Sequence, residues 1–239
     1  MLIALYAVPL YFMKKLSWHL LAFSLSAASL CGAAETILSE NFNDLAPGDL
    51  PLATFVGNPG MIAVADATTE PADPFGPKEN RSLRLMKRDS DERVVPRVTW
   101  TVEEISEGTL SFKGWTTETD EFKMPLLAVF LYQDTLEGDG ATAGPGLFFG
   151  GTSLQIWAPE GPRAYPMAWR LGEANTVVVR FSADKTYTIE INGERFPDAD
   201  TKFPFRGNVN TINRVQFAIA DSRPLGALTF VDDIELKKD

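Results

Sequence analysis

Beyond residue 35 no stretch of this chain keeps a helical rhythm. Short runs that alternate between apolar and polar residues, or are apolar throughout, recur instead between Gly, Pro, Asn and Asp. Leu83 and Leu85 open the series, followed by Val94, Val95 and Val98. Leu110-Ser111-Phe112-Lys113 alternates, whereas Leu126 to Tyr132 (LLAVFLY) is apolar on both faces, as a central strand requires. Leu154-Gln155-Ile156-Trp157 follows the turn at Gly150-Gly151. Thr176 to Phe181, a turn at Ala183-Asp184-Lys185 and Tyr187 to Ile191 read as a hairpin. Asn192-Gly193 then supplies the positive backbone angles of a type I′ turn. The runs VQFAIA and Leu228 to Leu236 close the chain. About a dozen short strands with turns every ~8–12 residues predict an all-β protein, a two-sheet antiparallel β-sandwich or a barrel. No Pro/Ser-rich linker divides residues 35–239, which read as one domain; the acidic, Pro-rich stretch from Thr68 to Asn80 is too short to join two.

The first 34 residues read as an address. Met13-Lys14-Lys15, an apolar stretch from Leu16 to Leu30 and the small residues before Glu35 make a secretory signal peptide cleaved after Ala34, with Met13 as the expected true start. The two lysines split the apolar run into pieces too short to span a bilayer. Lipidation at Cys31 competes with simple cleavage, but Leu30 stands where a small residue is expected. The expected location is secreted, or periplasmic and cell-envelope, with no membrane span after cleavage.

The formal net charge of −10 becomes −12 once Lys14 and Lys15 are removed, because the leader holds no acid. No basic face for nucleic acid is apparent. The chain's one Cys and one His both lie in the leader. The remaining chain has no disulfide, no Ser-His or Cys-His nucleophile, no histidine base and no His-rich zinc site.

Glu40-Asn41-Phe42-Asn43-Asp44 with Pro47-Gly48, Tyr187 to Gly193 (YTIEING) and Phe230 to Leu236 (FVDDIEL) together resemble the first, an internal and the last strand of the concanavalin A-like lectin/glucanase superfamily, in particular laminin-G-like modules of exported bacterial proteins. The resemblance implies a jelly-roll sandwich with one concave face and neighbouring first and last strands. It implies no single activity, because lectins, adhesion modules, hydrolases and lyases share this fold.

Several residues are candidates for chemistry. Phe230, Asp232, Ile234 and Leu236 share a strand parity, which puts an acid on an apolar face. With first and last strands adjacent, as the resemblance implies, Glu40 and Asp232 are expected to face each other across a structural Ca²⁺. The competing reading is that Asp232 simply accepts hydrogen bonds. Trp115 and Trp157 fall at parities shared with Lys113 and Gln155, so an indole to stack on a sugar and a polar group to bond its hydroxyls lie side by side. These rings equally suit packing. Glu118 and Asp120 match the first two acids of the glucanase pattern Glu-x-Asp-x-Glu, but Phe122 replaces the third and Lys123 follows. Gln155-Ile156-Trp157 resembles the Gln-Ile/Val-His of alginate-type lyases without the His, which leaves Tyr132 or Tyr165 as base and Arg163 to neutralise a uronate. Asn80-Arg81-Ser82 matches a glycosylation sequon and is given no role. The favoured reading is an exported, non-catalytic module that binds carbohydrate or another extracellular surface. A polysaccharide lyase or glycoside hydrolase is the first alternative, and a structural envelope or adhesion component the second.

Overall fold

A computed structural model describes residues 34–89, 91, 94–117, 126–133, 143–150, 153–166, 169–220 and 225–239. The expected leader with Cys31, and Glu118, Asp120, Phe122 and Lys123, lie outside the described residues. Within Glu35–Lys238, one compact unit, the strands form two antiparallel sheets. Numbered in chain order, the nine-stranded sheet holds β1 (Glu35–Glu40), β3 (Ile62–Ala65), β4 (Ser82–Met86), β6 (Gly108–Thr116), β11 (Asn175–Ser182), β12 (Thr186–Ile191), β13 (Glu194–Phe196), β14 (Phe203–Pro204) and β16 (Leu228–Lys238). The seven-stranded sheet runs in the order β10 (Gly161–Pro166), β9 (Ser153–Ala158), β8 (Ala143–Phe149), β7 (Leu127–Tyr132), β15 (Ile212–Ile219), β5 (Arg97–Ile105) and β2 (Phe55–Gly57).

The alternating runs become strands because each places one row of side chains between the sheets. Leu110 and Phe112 of β6 enter the core with Val177 and Val179 of β11, their neighbours in register. Phe112 meets Phe217 and Phe149 of the other sheet edge-on, at centroid distances of 5.1 and 5.9 Å. Burying one such ring contributes roughly 1.5–3 kcal/mol. Gly114 continues that inward row. A Cβ there would stand 2.5 Å from the Trp169 ring, so the missing side chain admits an indole whose N–H donates to Thr116 Oγ1 at 2.9 Å.

The β11–β12 hairpin forms as read. Asn192 (φ 55°) and Gly193 (φ 83°) make the tight turn to β13. Asp184 closes the preceding turn by accepting from the Ser182 and Thr186 hydroxyls at 2.7 Å each, which pulls its pKa down to about 2. The sequence reading named no strand at β2, β3, β8 or β13, nor at the two proline-bearing strands β10 (GPRAYP) and β14 (FP). β10 and β14 lie at sheet margins, where proline is tolerated because the outward side of the strand has no ladder partner. Val94 and Val95 are not in a strand. The buried Lys87 donates to the carbonyls of Asp91 and Val94 (2.6 Å for the latter) and holds this segment before β5 begins at Arg97. The chain ends pair: β1 runs antiparallel to β16, from Glu35 opposite Lys238 to Glu40 opposite Ile234.

Candidate functional site

The outward face of the seven-stranded sheet is built in three rows by its register. One row crosses Arg97, Ala218, Ala128, Phe148 and Gln155. The next crosses Thr99, Gln216, Phe130 and Gly146, with Trp157 beyond. The third crosses Thr101, Arg214, Tyr132 and Ala143. The floor is buried: Gln216 Nε2 donates to Thr99 Oγ1 at 3.0 Å, and Tyr132 stacks on Phe130 at 5.3 Å. Phe148 and Trp157 pack edge-on at 5.5 Å above it. A Cβ on Gly146 would come within 3.1–3.2 Å of Trp157 and Phe130, so glycine there lets the two rings close. Phe148, Gln155, Trp157, Arg97 and Arg214 remain half-buried. Arg206, from the segment after β14, lays its guanidinium over the Trp157 indole, 3.2 Å from the ring centroid.

The four residues expected to form one sugar site are therefore split. Trp157 and Gln155 stand on this face, but Trp115 and Lys113 lie on the outward face of the other sheet. There Trp115 packs edge-on against Phe230 at 5.5 Å, in a cluster that includes Phe75 and Met86, while Lys113 is tied to Asp233 at 2.6 Å. That ion pair raises the Lys113 pKa. Strand parity told which side of its own strand each tryptophan occupies, but not which sheet the strand joins. Trp157 itself does not offer a bare ring, since Arg206 covers one face.

The shared face expected for Phe230, Asp232, Ile234 and Leu236 is also corrected. A bulge after Asp232, with Asp233 at φ 47°, shifts the register and reverses the parity. Phe230 and Asp232 point outward, opposite Trp115 and Lys113, while Ile234 and Leu236 enter the core. Glu40 lies across from Ile234 with its carboxyl beside the Trp100 indole, so the structure does not bring it to Asp232. A polar cleft of about 320 Å³ opens at the bulge, and its lining includes Glu40, Asp233 and Glu235 but not Asp232. Among the described residues no three His, Cys, Asp or Glu side chains gather at a metal-holding geometry. The Glu40–Asp232 pair does not fit a shared Ca²⁺.

Asp232 is satisfied in another way. Asn80 Nδ2 donates both to Asp232 Oδ2 at 3.0 Å and to Asp73 Oδ2 at 2.9 Å, while the Asp233 N–H donates to Asp232 Oδ1 at 2.8 Å. Ser82 Oγ and the Phe75 N–H donate to Asp73 Oδ1. The Thr68–Asn80 loop is thereby latched to β16 by the asparagine that the sequence reading left without a role. Burial pushes the Asp232 pKa up to about 6 against these donors, with Asp233 and Asp73 adding repulsion.

The tyrosine-base constellation is not assembled either. Tyr165 packs between the sheets against Phe203 and Phe196, and Arg163 pairs with Glu160 at the β9–β10 turn. Tyr132 alone of the pair lies on the outward face, fully buried there.

No protein-family model and no curated protein matches the sequence. Solved structures do match the fold. An alginate lyase holding an alginate trisaccharide superposes with a TM-score of 0.59 at 15% identity, over 87% of this chain and 100% of that one. An endo-β-1,4-glucuronan lyase from the fungus Trichoderma reesei gives 0.52 at 11%, over 82% and 95%. A sialidase gives 0.58 at 14% over 86% of this chain, which spans only 19% of the sialidase. Among the described residues no helix is long and apolar enough to cross a membrane. With its two antiparallel sheets and these neighbours, the chain has the concanavalin A-like jelly-roll fold.

Proposed function

We propose that this chain is an exported carbohydrate-binding β-sandwich whose glycan lies on the outward face of the seven-stranded sheet. The observation that carries this reading is the half-buried set of Trp157, Phe148, Gln155, Arg206 and Arg214 around a satisfied, buried floor. Such a mixture of aromatic edges, an amide and guanidinium groups suits a ligand with apolar ring faces and many polar substituents. On the opposite face the aromatic cluster of Trp115, Phe230, Phe75 and Met86 is tucked together, Arg180 pairs with Glu190 (2.6 Å) and Lys113 with Asp233. Export rests on the leader pattern of residues 1–34.

The test is retention on immobilised glycans, combined with reducing-end and near-ultraviolet product assays. Trp157→Ala and Gln155→Ala lose retention, Lys113→Ala on the far face keeps it, and no product forms. Retention lost in Lys113→Ala but kept in Trp157→Ala would overturn the assignment of the face.

A second reading, polysaccharide cleavage by a lyase mechanism, is favoured by one observation: the full-length fold match to the alginate and glucuronan lyases. Unsaturated products absorbing in the near ultraviolet would establish it; Tyr132, fully buried in the floor of this face, is not placed to reach a substrate proton. A structural envelope or adhesion component would retain no glycan and form no product.

A further inference from the structure

Resting on the glycan-binding reading of the seven-stranded sheet, we infer that Arg206 is a gate: in the free chain its guanidinium occupies a face of Trp157 on which a pyranose ring would stack, and binding there requires it to swing aside. The arginine is carried by a strap, residues 203–208, that runs from β12 of one sheet to the start of β8 in the other. The strap is fixed along its backbone. Phe203 pairs with Tyr187 of β12, and the Phe205 N–H donates to the Lys185 carbonyl at 2.9 Å. The Arg206 and Gly207 N–H groups donate to the carbonyls of Gly144 and Ala143 at 3.1 and 2.7 Å. Phe203 and Phe205 are buried against Tyr187, at centroid distances of 5.6 and 6.3 Å, and Lys185 Nζ donates to Asn208 Oδ1 at 2.8 Å. The chain on both sides of Arg206 is therefore held, and its side chain is the part left to move.

Trp157 is seated by the sheet itself. Its ring lies 5.4 Å from that of Phe130 and 5.5 Å from that of Phe148, beside Gly146, so it keeps its orientation whether or not the guanidinium is present. At 3.2 Å from the ring centroid, Arg206 is in contact with the indole. A stacked sugar ring needs roughly the same spacing, about 3.5–4.0 Å between carbons, so the two exclude each other on that face. A cation over a half-exposed ring is held weakly enough to exchange, by about tenfold in equilibrium. A face open in about one molecule in ten lowers the apparent affinity of whatever stacks there about tenfold. Once the guanidinium has left, the indole offers an apolar platform, with Gln155 and Arg214 of the same sheet face remaining for hydroxyls.

The experiment is native electrophoresis of the full chain through gels containing laminarin, galactomannan, xylan or alginate, with mobilities normalised to a polymer-free gel so that the lost charge does not count. In the polymer that retards the protein, Arg206→Ala binds about tenfold more tightly than the parent, because the platform no longer has to be uncovered. Arg206→Lys falls between the two, since an ammonium keeps the charge but not the plane. The gain disappears in the double variant Arg206→Ala/Trp157→Ala, which has no ring to uncover. Should Arg206→Ala fail to fold by circular dichroism, Arg206→Lys carries the test with a smaller gain of the same sign. Retardation equal to or weaker than the parent's in the Arg206 variants, or a gain that persists without Trp157, overturns the gate while leaving the glycan-binding reading standing. No retardation of parent or variants by any of the polymers overturns both.

Discussion

Replacing Asp232 with Asn should make this protein more stable at neutral pH and remove a pH dependence that the parent chain shows. The carboxyl is fully buried on the outward side of β16, and its pKa stands at about 6 against 3.8 for an ordinary aspartate. That difference of about two pH units corresponds to at most about 3 kcal/mol between the ionised and protonated forms in the fold. The sign follows from proton counting. Below about pH 4 the group is protonated in both folded and unfolded chains and contributes no slope. Between about pH 4 and 6 the folded chain keeps a proton that the unfolded chain has lost, so stability falls as pH rises through the folded pKa, then levels off. The charged neighbours are Asp73 on the loop, Asp233 on the bulge and Lys113 on β6, the last already committed to Asp233. Asn at 232 keeps one acceptor oxygen for donors that now meet separate oxygens, the Asn80 amide at Oδ2 and the Asp233 N–H at Oδ1, so one of these bonds is lost and the gain falls short of the full difference. The expected gain at pH 7.5 is about 1–3 kcal/mol, and the expected difference at pH 4 is within about 0.5 kcal/mol. Urea unfolding of both chains at half-unit pH intervals measures it. Glu40, whose pKa burial also raises, contributes a slope of the same sign, so the comparison must be made between variants rather than read from the parent alone. Parallel parent and Asp232→Asn curves from pH 4 to 7.5, or a variant less stable at pH 7.5, would refute the reasoning.

Other perturbations follow from the same packing. Gly114→Ala drives a methyl to 2.5 Å from the Trp169 ring and should cost about 1–3 kcal/mol, read as a lower melting temperature; an unchanged value would mean that the indole moves freely aside. Lys87→Met keeps the buried stem but strips the Asp91 and Val94 carbonyls of their donor, with an expected loss of about 1–3 kcal/mol in urea unfolding. Because Glu40 and Asp232 are not brought together, Glu40→Gln leaves the melting response to millimolar Ca²⁺ the same as in the parent chain. A response present in the parent and absent in this variant would restore a calcium pocket at Glu40.

Much of the architecture is legible along the chain because strand parity is a local property. LSFK on β6, TVVVRF on β11 and the Asn192-Gly193 turn state which side chains turn inward and where the chain reverses, and their neighbours in sequence enforce it. The absence of Cys and His beyond residue 34 likewise needs no coordinates. What tertiary structure alone decided is which faces meet. Trp115 and Trp157 have the same local character, yet β6 and β9 join different sheets, and only long-range pairing assigns them. One extra residue at Asp233 undid the parity of β16, because a bulge reverses every side chain beyond it and leaves no mark in the alternation before it. Arg97, Arg206 and Arg214 come from three separate segments, and Asn80 meets Asp232 across 152 residues. Such meetings depend on sheet order and loop path, which are set by the burial of the whole core rather than by any window of the sequence.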